Sequence, residues 1–240
     1  MRSTRVACAL ALVVLATTPA RSEQPAGSAA VRRALHAASV SFDGCSGVLA
    51  ESPGIVLTAR HCVKGEGQEL RVRFTTGASR SAWVVAIDEV ADQALLLVED
   101  PPAIAPLPLV RRRPIAGTVL YFEGNPTRPR FQSARLDRIG RCPSLPNLPN
   151  ALFTGIHGVP GDSGAPLVDG AARVVGLVHG GAQCRIATPA DTLGRLIDRV
   201  LGDDGVRMAL RSGEISSPPA GSRPPLPEST ALPPPRPRRV

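Results

Sequence analysis

The sequence contains few aromatic residues: one tryptophan, one tyrosine and five phenylalanines make up 3% of its 240 residues. Proteins that bind nucleic acids combine a basic stripe with aromatic side chains that stack on the bases. The net charge of +8 forms no such stripe, because residues 1–22 and residues 211–240 contribute +3 each and leave +2 for residues 23–210. We therefore expect no nucleic-acid partner.

The sequence also lacks a Cys-x-x-Cys pair and an apolar run of about 20 residues, the length that spans a membrane. The first absence argues against a zinc site, and no motif indicates a nucleotide or an organic cofactor, so we expect neither a metal nor a cofactor. The second absence argues against a stable membrane anchor. Nothing in the sequence indicates an oligomeric state.

The N-terminal residues have the three parts of a secretory signal peptide. Two arginines precede an apolar run at residues 6–16, and small residues suited to cleavage follow it. We predict a signal peptide over residues 1–22 and therefore a secreted or periplasmic protein. Its removal leaves four cysteines, an even number that favours two disulfides in an exported chain, with three possible pairings. They are Cys45, Cys62, Cys142 and Cys184.

Short apolar runs separated by turn residues dominate the chain between residues 39 and 201. This pattern, without alternating helices, predicts an all-β sandwich or barrel. A proline-rich stretch at residues 101–114 divides the runs into two sets. Thr188 as N-cap, Pro189 as the first helical residue and apolar residues at helical spacing after it predict one helix that ends at Gly202.

The remaining segments do not resemble a core. Residues 23–38 are small and polar, and we expect a loose lead-in or a short pro-segment there. Residues 211–240 are rich in proline and arginine, and we expect them to be disordered. The folded domain is therefore placed at residues 39–210.

The segment GDSGAPL at residues 161–167 presents Ser163 in a glycine-rich turn. A nucleophilic serine needs a base to accept its proton and an acid to orient that base. His61 is the favoured base, because it follows an apolar strand in TARHC and a disulfide at Cys62 would hold it in position. Taken alone, His61 fits a surface histidine at a strand end equally well.

Asp92 is the favoured acid, because it directly precedes the apolar strand in DQALLL. A side chain at that position turns toward the interior, where an ionised carboxylate survives only when it is hydrogen-bonded. Asp88 is the alternative, and Glu89 is a weaker one. Both lie in a more polar turn, where a carboxylate is more often solvated.

The order His61, Asp92, Ser163 in TARHC, DQALL and GDSGAPL resembles that of the chymotrypsin/trypsin-like serine peptidases. The likeness is closer to bacterial exported members than to vertebrate zymogens, and it covers about residues 39–201. It implies an all-β fold of two antiparallel β-barrels, the chymotrypsin-like double barrel, with a C-terminal α-helix. The halves would span about residues 39–105 and 115–201.

The resemblance also implies a mechanism, that of a serine-type endopeptidase acting on protein or peptide substrates through an acyl-enzyme. Ser163 would attack the scissile carbonyl, His61 would accept and return the proton, and Asp92 would orient His61. The backbone N–H groups of Gly161 and Ser163 would form the oxyanion hole, for which a glycine permits the required turn.

Further substrate-binding residues follow from the same resemblance. A segment that includes Val178, His179, Gly180 and Gly181 is similar to the edge strand that pairs with the substrate backbone. His179 stands near the acid, where relatives usually have a serine. His157 occupies the position at the base of the specificity pocket, where it either favours an acidic substrate residue or is a structural histidine.

The resemblance includes a Cys45–Cys62 disulfide, and we expect the remaining two cysteines to pair because both flank the expected pocket. The chain departs from the trypsin branch at Asp162. In that branch a terminal amine released by cleavage pairs with this aspartate, but no IVGG-type segment precedes Cys45. The partner of Asp162 is therefore open.

Two other functions compete with the peptidase hypothesis. One is a trypsin-fold protein that binds peptides or partners with little or no turnover, which the loss of a triad residue would favour. The other is a small-ester hydrolase of the α/β class. The absence of GxSxG around Ser163 and the order of the triad argue against that class.

Overall fold

The computed structural model describes residues 26–204 and residue 206, apart from residues 144, 145, 149 and 180–183. Within this part, the chain forms two closed β-barrels of six strands, and neighbouring strands run antiparallel. The predicted double barrel is confirmed. The predicted signal peptide (residues 1–22) and the predicted disordered tail (residues 211–240) lie outside the described residues.

The first barrel has the strand order β1-β2-β3-β6-β5-β4. Its strands are β1 (Ser39–Phe42), β2 (Cys45–Leu49), β3 (Ile55–Ala59), β4 (Glu69–Phe74), β5 (Ser79–Asp88) and β6 (Gln93–Val98). In β4, Leu70, Val72 and Phe74 are buried and the residues between them are exposed. This alternation follows from the two-residue repeat of a strand, which sends successive side chains to opposite faces.

The second barrel has the strand order β10-β11-β12-β9-β8-β7. Its strands are β7 (Val119–Phe122), β8 (Gln132–Gly140), β9 (Ala151–Thr154), β10 (Pro166–Val168), β11 (Val174–His179) and β12 (Ile186–Pro189). The proline-rich crossover lies between β6 and β7. Single parallel bridges join Leu107 to Ala50 in the first barrel and Leu109 to Val174 in the second, so the crossover is fixed to both.

Helix α2 (Ala190–Leu201) follows β12 and buries an apolar face that includes Leu193, Leu196 and Ile197. These side chains belong to the same core as the first barrel, so the C-terminal helix returns to cover that barrel. α2 contacts β6, and β3 contacts β11 of the second barrel. Both β3 and β6 are therefore buried at every position.

Helix α1 (Ala26–Ala38) precedes β1. Val31, Leu35 and Ala38 lie on one helical face and are buried in the core of the first barrel. The loose lead-in predicted for residues 23–38 is thus wrong for residues 26–38, because burial of this face stabilises a helix. The removal of the segment as a pro-segment stays a prediction. In the part of the chain described here, no helix combines the length and the apolar character needed to cross a membrane.

Helix α1 also contacts the second barrel, through a buried carboxylate. Nδ1 of His36 lies 3.2 Å from Oε1 of Glu123, which follows β7 and is 3% exposed. Burial raises the pKa of Glu123, whereas the nearby His36 and Arg32 act in the opposite direction. The contact places α1 beside the loop that starts at Gly124.

Candidate active site

The turn that carries His61 continues directly from β3. Arg60–Cys62 form one turn of 3-10 helix, and the predicted Cys45–Cys62 disulfide ties this turn to the start of β2. The backbone N–H of His61 donates to Oδ1 of Asp92 at 3.0 Å, and Nδ1 of the His61 ring lies 2.8 Å from Oδ2. One carboxylate therefore fixes both the backbone and the ring of His61.

Asp92 lies in the turn that leads into β6. It is 8% exposed and has a φ of 52°, in the left-handed region that aspartate tolerates better than most residues. The next residue, Gln93, is buried, and its amide donates to the carbonyl of Pro189 at 2.8 Å and accepts from the hydroxyl of Thr192 at 2.6 Å. The start of α2 therefore anchors the start of β6 and, with it, Asp92.

The two alternative acids have other partners. Oδ1 of Asp88 accepts from the backbone N–H groups of Val90 and Ala91 within its own turn. Glu89 is exposed, and its Oε2 lies 2.5 Å from Nε of Arg60. Of the three candidates, Asp92 is the one that contacts His61.

A second imidazole shares the Asp92 carboxylate. His179 ends β11, and its Nδ1 lies 2.5 Å from Oδ2 of Asp92. The rings of His61 and His179 meet edge to face, with their centroids 4.8 Å apart. Burial raises the pKa of Asp92, but hydrogen bonds from His179 and His61 outweigh this effect and lower the pKa to about 2. Asp92 is therefore an anion between two imidazoles at neutral pH.

The ligand atoms of His61, Asp92 and His179 lie within 4.8 Å of one another, so this is the set of described residues that could hold a metal ion. Their N···O distances of 2.5 and 2.8 Å are those of hydrogen bonds. A zinc ion would lie about 2.0–2.2 Å from each ligand atom and would have to force these atoms apart. We therefore interpret the cluster as a hydrogen-bonded one.

The turn that carries Ser163 packs between the two barrels. The Ser46 N–H donates to the Ser163 carbonyl at 2.8 Å, and the Gly164 N–H donates to the Val178 carbonyl at 2.9 Å. Gly164 has a φ of 82°, and a Cβ there would lie 2.2 Å from the Ser46 carbonyl oxygen and 2.9 Å from the Ala59 nitrogen. The turn is thus pressed against the end of β3, two residues before His61.

A family model for the trypsin-like peptidase domain matches residues 45–177, more than half of the chain. The chain belongs to the trypsin-like peptidase family. A solved structure similar to this chain is the serine endoprotease from Yersinia pestis, with a TM-score of 0.62 and 22% sequence identity. The match covers 75% of this chain and 68% of that chain, and at this identity it supports the fold. No curated protein sequence gives a significant match.

The carboxylate of Asp162 is satisfied by groups within the chain. Asp162 is 1% exposed. Its Oδ1 accepts from the Asn125 N–H at 2.9 Å, and its Oδ2 accepts from the Val159 N–H at 2.8 Å. The guanidinium of Arg130 also donates to Oδ2. Arg130 therefore supplies the positive charge that a released terminal amine supplies in the trypsin branch, which answers the question that the sequence left open.

The same network orients the backbone before Ser163. The Gly161 carbonyl accepts from Oγ of Ser46 at 2.7 Å and from Nδ2 of Asn125 at 3.0 Å, and Gly161 has a φ of 99°. Among the described residues, no acceptor pairs with the backbone N–H of Gly161 or of Ser163. Two backbone donors thus stay available at this turn, as an oxyanion hole requires.

Beside His179 lies a cavity of about 60 Å³. Its described lining residues come from the end of β9 and the residues after it, from β10 and β11, and from the segment that runs from Cys184 into β12. The lining residues are Thr154, Ile156, Gly158, Leu167, Val178, His179, Cys184, Arg185, Ile186 and Ala187. The sequence also predicted the Cys142–Cys184 disulfide. It joins Cys184 at the cavity to Cys142, which lies two residues after the end of β8.

Only some of the predicted substrate-binding residues lie at this cavity. Val178 and His179 line the cavity. His157 is exposed and is not among the lining residues, although its neighbours Ile156 and Gly158 are; its backbone N–H donates to the Gln132 side chain at 3.1 Å. Gly180 and Gly181 lie outside the described residues. Their roles in substrate binding stay predictions.

Proposed function

We propose that the protein is an exported serine endopeptidase that hydrolyses peptide bonds of protein substrates through an acyl-enzyme. The observation that carries the proposal is the contact of His61 Nδ1 with Asp92 Oδ2 at 2.8 Å, in a turn packed against the one that carries Ser163. The family match supports the same conclusion. The triad is thus His61, Asp92 and Ser163.

In the first half of the reaction, Oγ of Ser163 attacks the scissile carbonyl carbon while Nε2 of His61 takes the hydroxyl proton. The carbonyl oxygen becomes an oxyanion, which the N–H groups of Gly161 and Ser163 stabilise. Asp92 fixes the His61 tautomer with Nδ1–H toward the carboxylate and stabilises the imidazolium. The low pKa of Asp92 keeps this carboxylate charged throughout the neutral range.

The intermediate then collapses, and the C–N bond breaks as His61 returns the proton to the leaving amine. Water attacks the resulting ester at Ser163 with His61 again as base, and the acid product leaves with the serine regenerated. No group beyond the chain and water is required for the atoms and charges to balance.

The disulfides Cys45–Cys62 and Cys142–Cys184 support an oxidising compartment, since such bonds are rare in reducing ones. We accordingly propose a secreted or periplasmic location after removal of residues 1–22. Mass spectrometry of the protein recovered from culture medium or periplasm would give the mature N-terminus. A chain that retains residues 1–22 there would contradict the proposed signal peptide.

A fluorophosphonate probe tests the proposed nucleophile, because an activated serine hydroxyl attacks its phosphorus and displaces fluoride. We expect the purified exported protein to be labelled, Ser163→Ala to be unlabelled, and Ser133→Ala to be labelled like the wild type, since Ser133 is exposed on β8. Cleavage of a peptide library should follow the same pattern. An unlabelled, inactive and correctly folded wild type would point instead to a trypsin-fold binding protein.

A further inference from the structure

The charge of the cavity beside His179 is set by few side chains. Among the described residues that line it, none is an aspartate or a glutamate. The two lining residues with a titratable side chain are His179 and Arg185, since Cys184 is in a disulfide. His179 already has Asp92 as a hydrogen-bond partner at 2.5 Å, so Arg185 is the permanent charge of the pocket.

The Arg185 side chain has no partner in the described part of the chain. Its backbone carbonyl accepts from the Thr154 N–H at 3.2 Å, which fixes the residue next to β9. Its guanidinium makes no hydrogen bond or ion pair with any described residue. A guanidinium presents five N–H donors in a planar fork that matches a carboxylate.

The pocket lies beside the triad. Val178 lines it, and the carbonyl of Val178 accepts from the N–H of Gly164, the residue after Ser163. His179 lines it and contacts Asp92. A substrate side chain that enters this cavity therefore belongs to a residue next to the scissile bond.

The volume of the cavity limits the size of that side chain. One water needs about 10–15 Å³ of such volume, so a cavity of about 60 Å³ holds only a few water-sized groups. A cavity of about 150 Å³ accommodates benzene, so a volume of about 60 Å³ favours a carboxymethyl or carboxyethyl side chain over an aromatic ring. A lysine or arginine side chain would bring a second positive charge against Arg185.

We propose that this pocket binds an acidic side chain, aspartate or glutamate, on the acyl side of the scissile bond, and that Arg185 is its ion-pair partner. The assignment rests on the proposed peptidase function for the role of the site, and it adds the substrate class. It places the acid preference on Arg185 and not on His157, which lies outside the lining of the cavity. Arg185 is thus a specificity-determining residue.

Binding to the inactive Ser163→Ala protein tests the pocket without requiring turnover. The probes are fluorescent peptides identical except for glutamate, aspartate, glutamine or lysine at the position before the scissile bond, measured by fluorescence anisotropy. We expect the glutamate or the aspartate peptide to bind about 2- to 5-fold more tightly than the glutamine peptide, the effect of an ion pair at an exposed arginine. The kcat/KM values of the wild type should show the same order.

Three variants assign the preference to its residue. In the Ser163→Ala background, Arg185→Gln should remove the difference between the glutamate and glutamine peptides, and Arg185→Glu should shift the preference to lysine. Arg71→Gln is the matched control, because Arg71 is exposed on β4 of the first barrel and has no side-chain partner among the described residues; it should leave the preference unchanged. Salt should weaken the preference, since Arg185 is exposed.

The outcomes separate this proposal from the peptidase proposal. Equal affinity for the glutamate and glutamine peptides, no affinity for any peptide, or an acid preference that persists in Arg185→Gln would overturn the assignment of the pocket. Acid-selective binding that depends on Arg185, in a wild type that no fluorophosphonate labels, would uphold the pocket and reject catalysis.

Discussion

Replacing Arg130 with methionine tests how the turn before Ser163 is held. The change keeps the aliphatic stem and removes the guanidinium that donates to Oδ2 of Asp162. Removing one partner of a buried ion pair costs about 3–5 kcal/mol. Two facts reduce this figure: Asp162 keeps backbone N–H donors from Val159 and Asn125, and the Arg130 side chain is 36% exposed, so water replaces part of the interaction.

We therefore expect the free energy of unfolding to fall by about 2 kcal/mol, close to the value of one hydrogen bond to a charged group. The turn with Gly161 and Ser163 should also lose its fixed geometry. Since loss of one oxyanion donor costs about 100- to 1,000-fold in kcat, partial misplacement should cost about 10- to 100-fold, with a smaller change in KM.

Urea denaturation measures the change in the free energy of unfolding, and steady-state kinetics on a peptide substrate measure the changes in kcat and KM. Arg128→Met is the matched control, because Arg128 is exposed in the same loop and its side chain has no partner among the described residues. Asp162→Asn in the Arg130→Met background should restore part of the stability, since it removes the uncompensated charge. Unchanged stability and unchanged kcat in Arg130→Met would refute the role given to this pair.

Three further changes test other parts of the site. His179→Ala removes one hydrogen bond to Asp92, so kcat should fall. The acid limb of the kcat/KM profile should move to higher pH, because the less compensated carboxylate favours the His61 imidazolium. His179→Asn should restore part of both effects, and an unmoved acid limb would contradict the coupling. The pKa of Asp92 is about 2 in the folded protein against an ordinary 3.8. The ionised carboxylate should therefore stabilise the fold by about 2 kcal/mol above about pH 4, and this stabilisation should be lost as the pH falls toward 2. The acid unfolding curve of Asp92→Asn should lack this component. Gly164→Ala should lower the free energy of unfolding by at least about 2 kcal/mol, because of backbone strain and a clash with Ser46. Gly65→Ala is the control, because a Cβ there meets open space. Equal urea midpoints for the two variants would show that the turn adjusts to a Cβ without cost.

The features that short motifs carry were predictable from the sequence. TARHC, DQALL and GDSGAPL each set one candidate residue at the end or the start of a strand, and strand periodicity is itself a local property. The two barrels are confirmed, and the structure brings His61 and Asp92 to 2.8 Å. Both expected cysteine pairs are present.

Helix α1 was missed although its composition favours a helix, because alanine and arginine make up eight of residues 26–38. The apolar face that packs on the core is short, with Val31, Leu35 and Ala38 spread over two turns. Most helical stability in proteins comes from packing of such a face and not from intrinsic propensity. The first barrel supplies that packing.

The partner of Asp162 and the charge in the pocket depend on contacts between residues far apart in the chain. The sequence contains 28 lysines and arginines, and no local pattern distinguishes the one that reaches Asp162 from the one that lines the cavity.

By itself, the sequence determined the fold class and the order of the three site motifs, because strand patterns and short motifs are local. Only the tertiary structure decided that Arg130 neutralises Asp162, that His179 shares Asp92, and that Arg185 lines the cavity beside the site. The physical reason is that the packing of the barrels and the pairing of β11 with β12 set these distances.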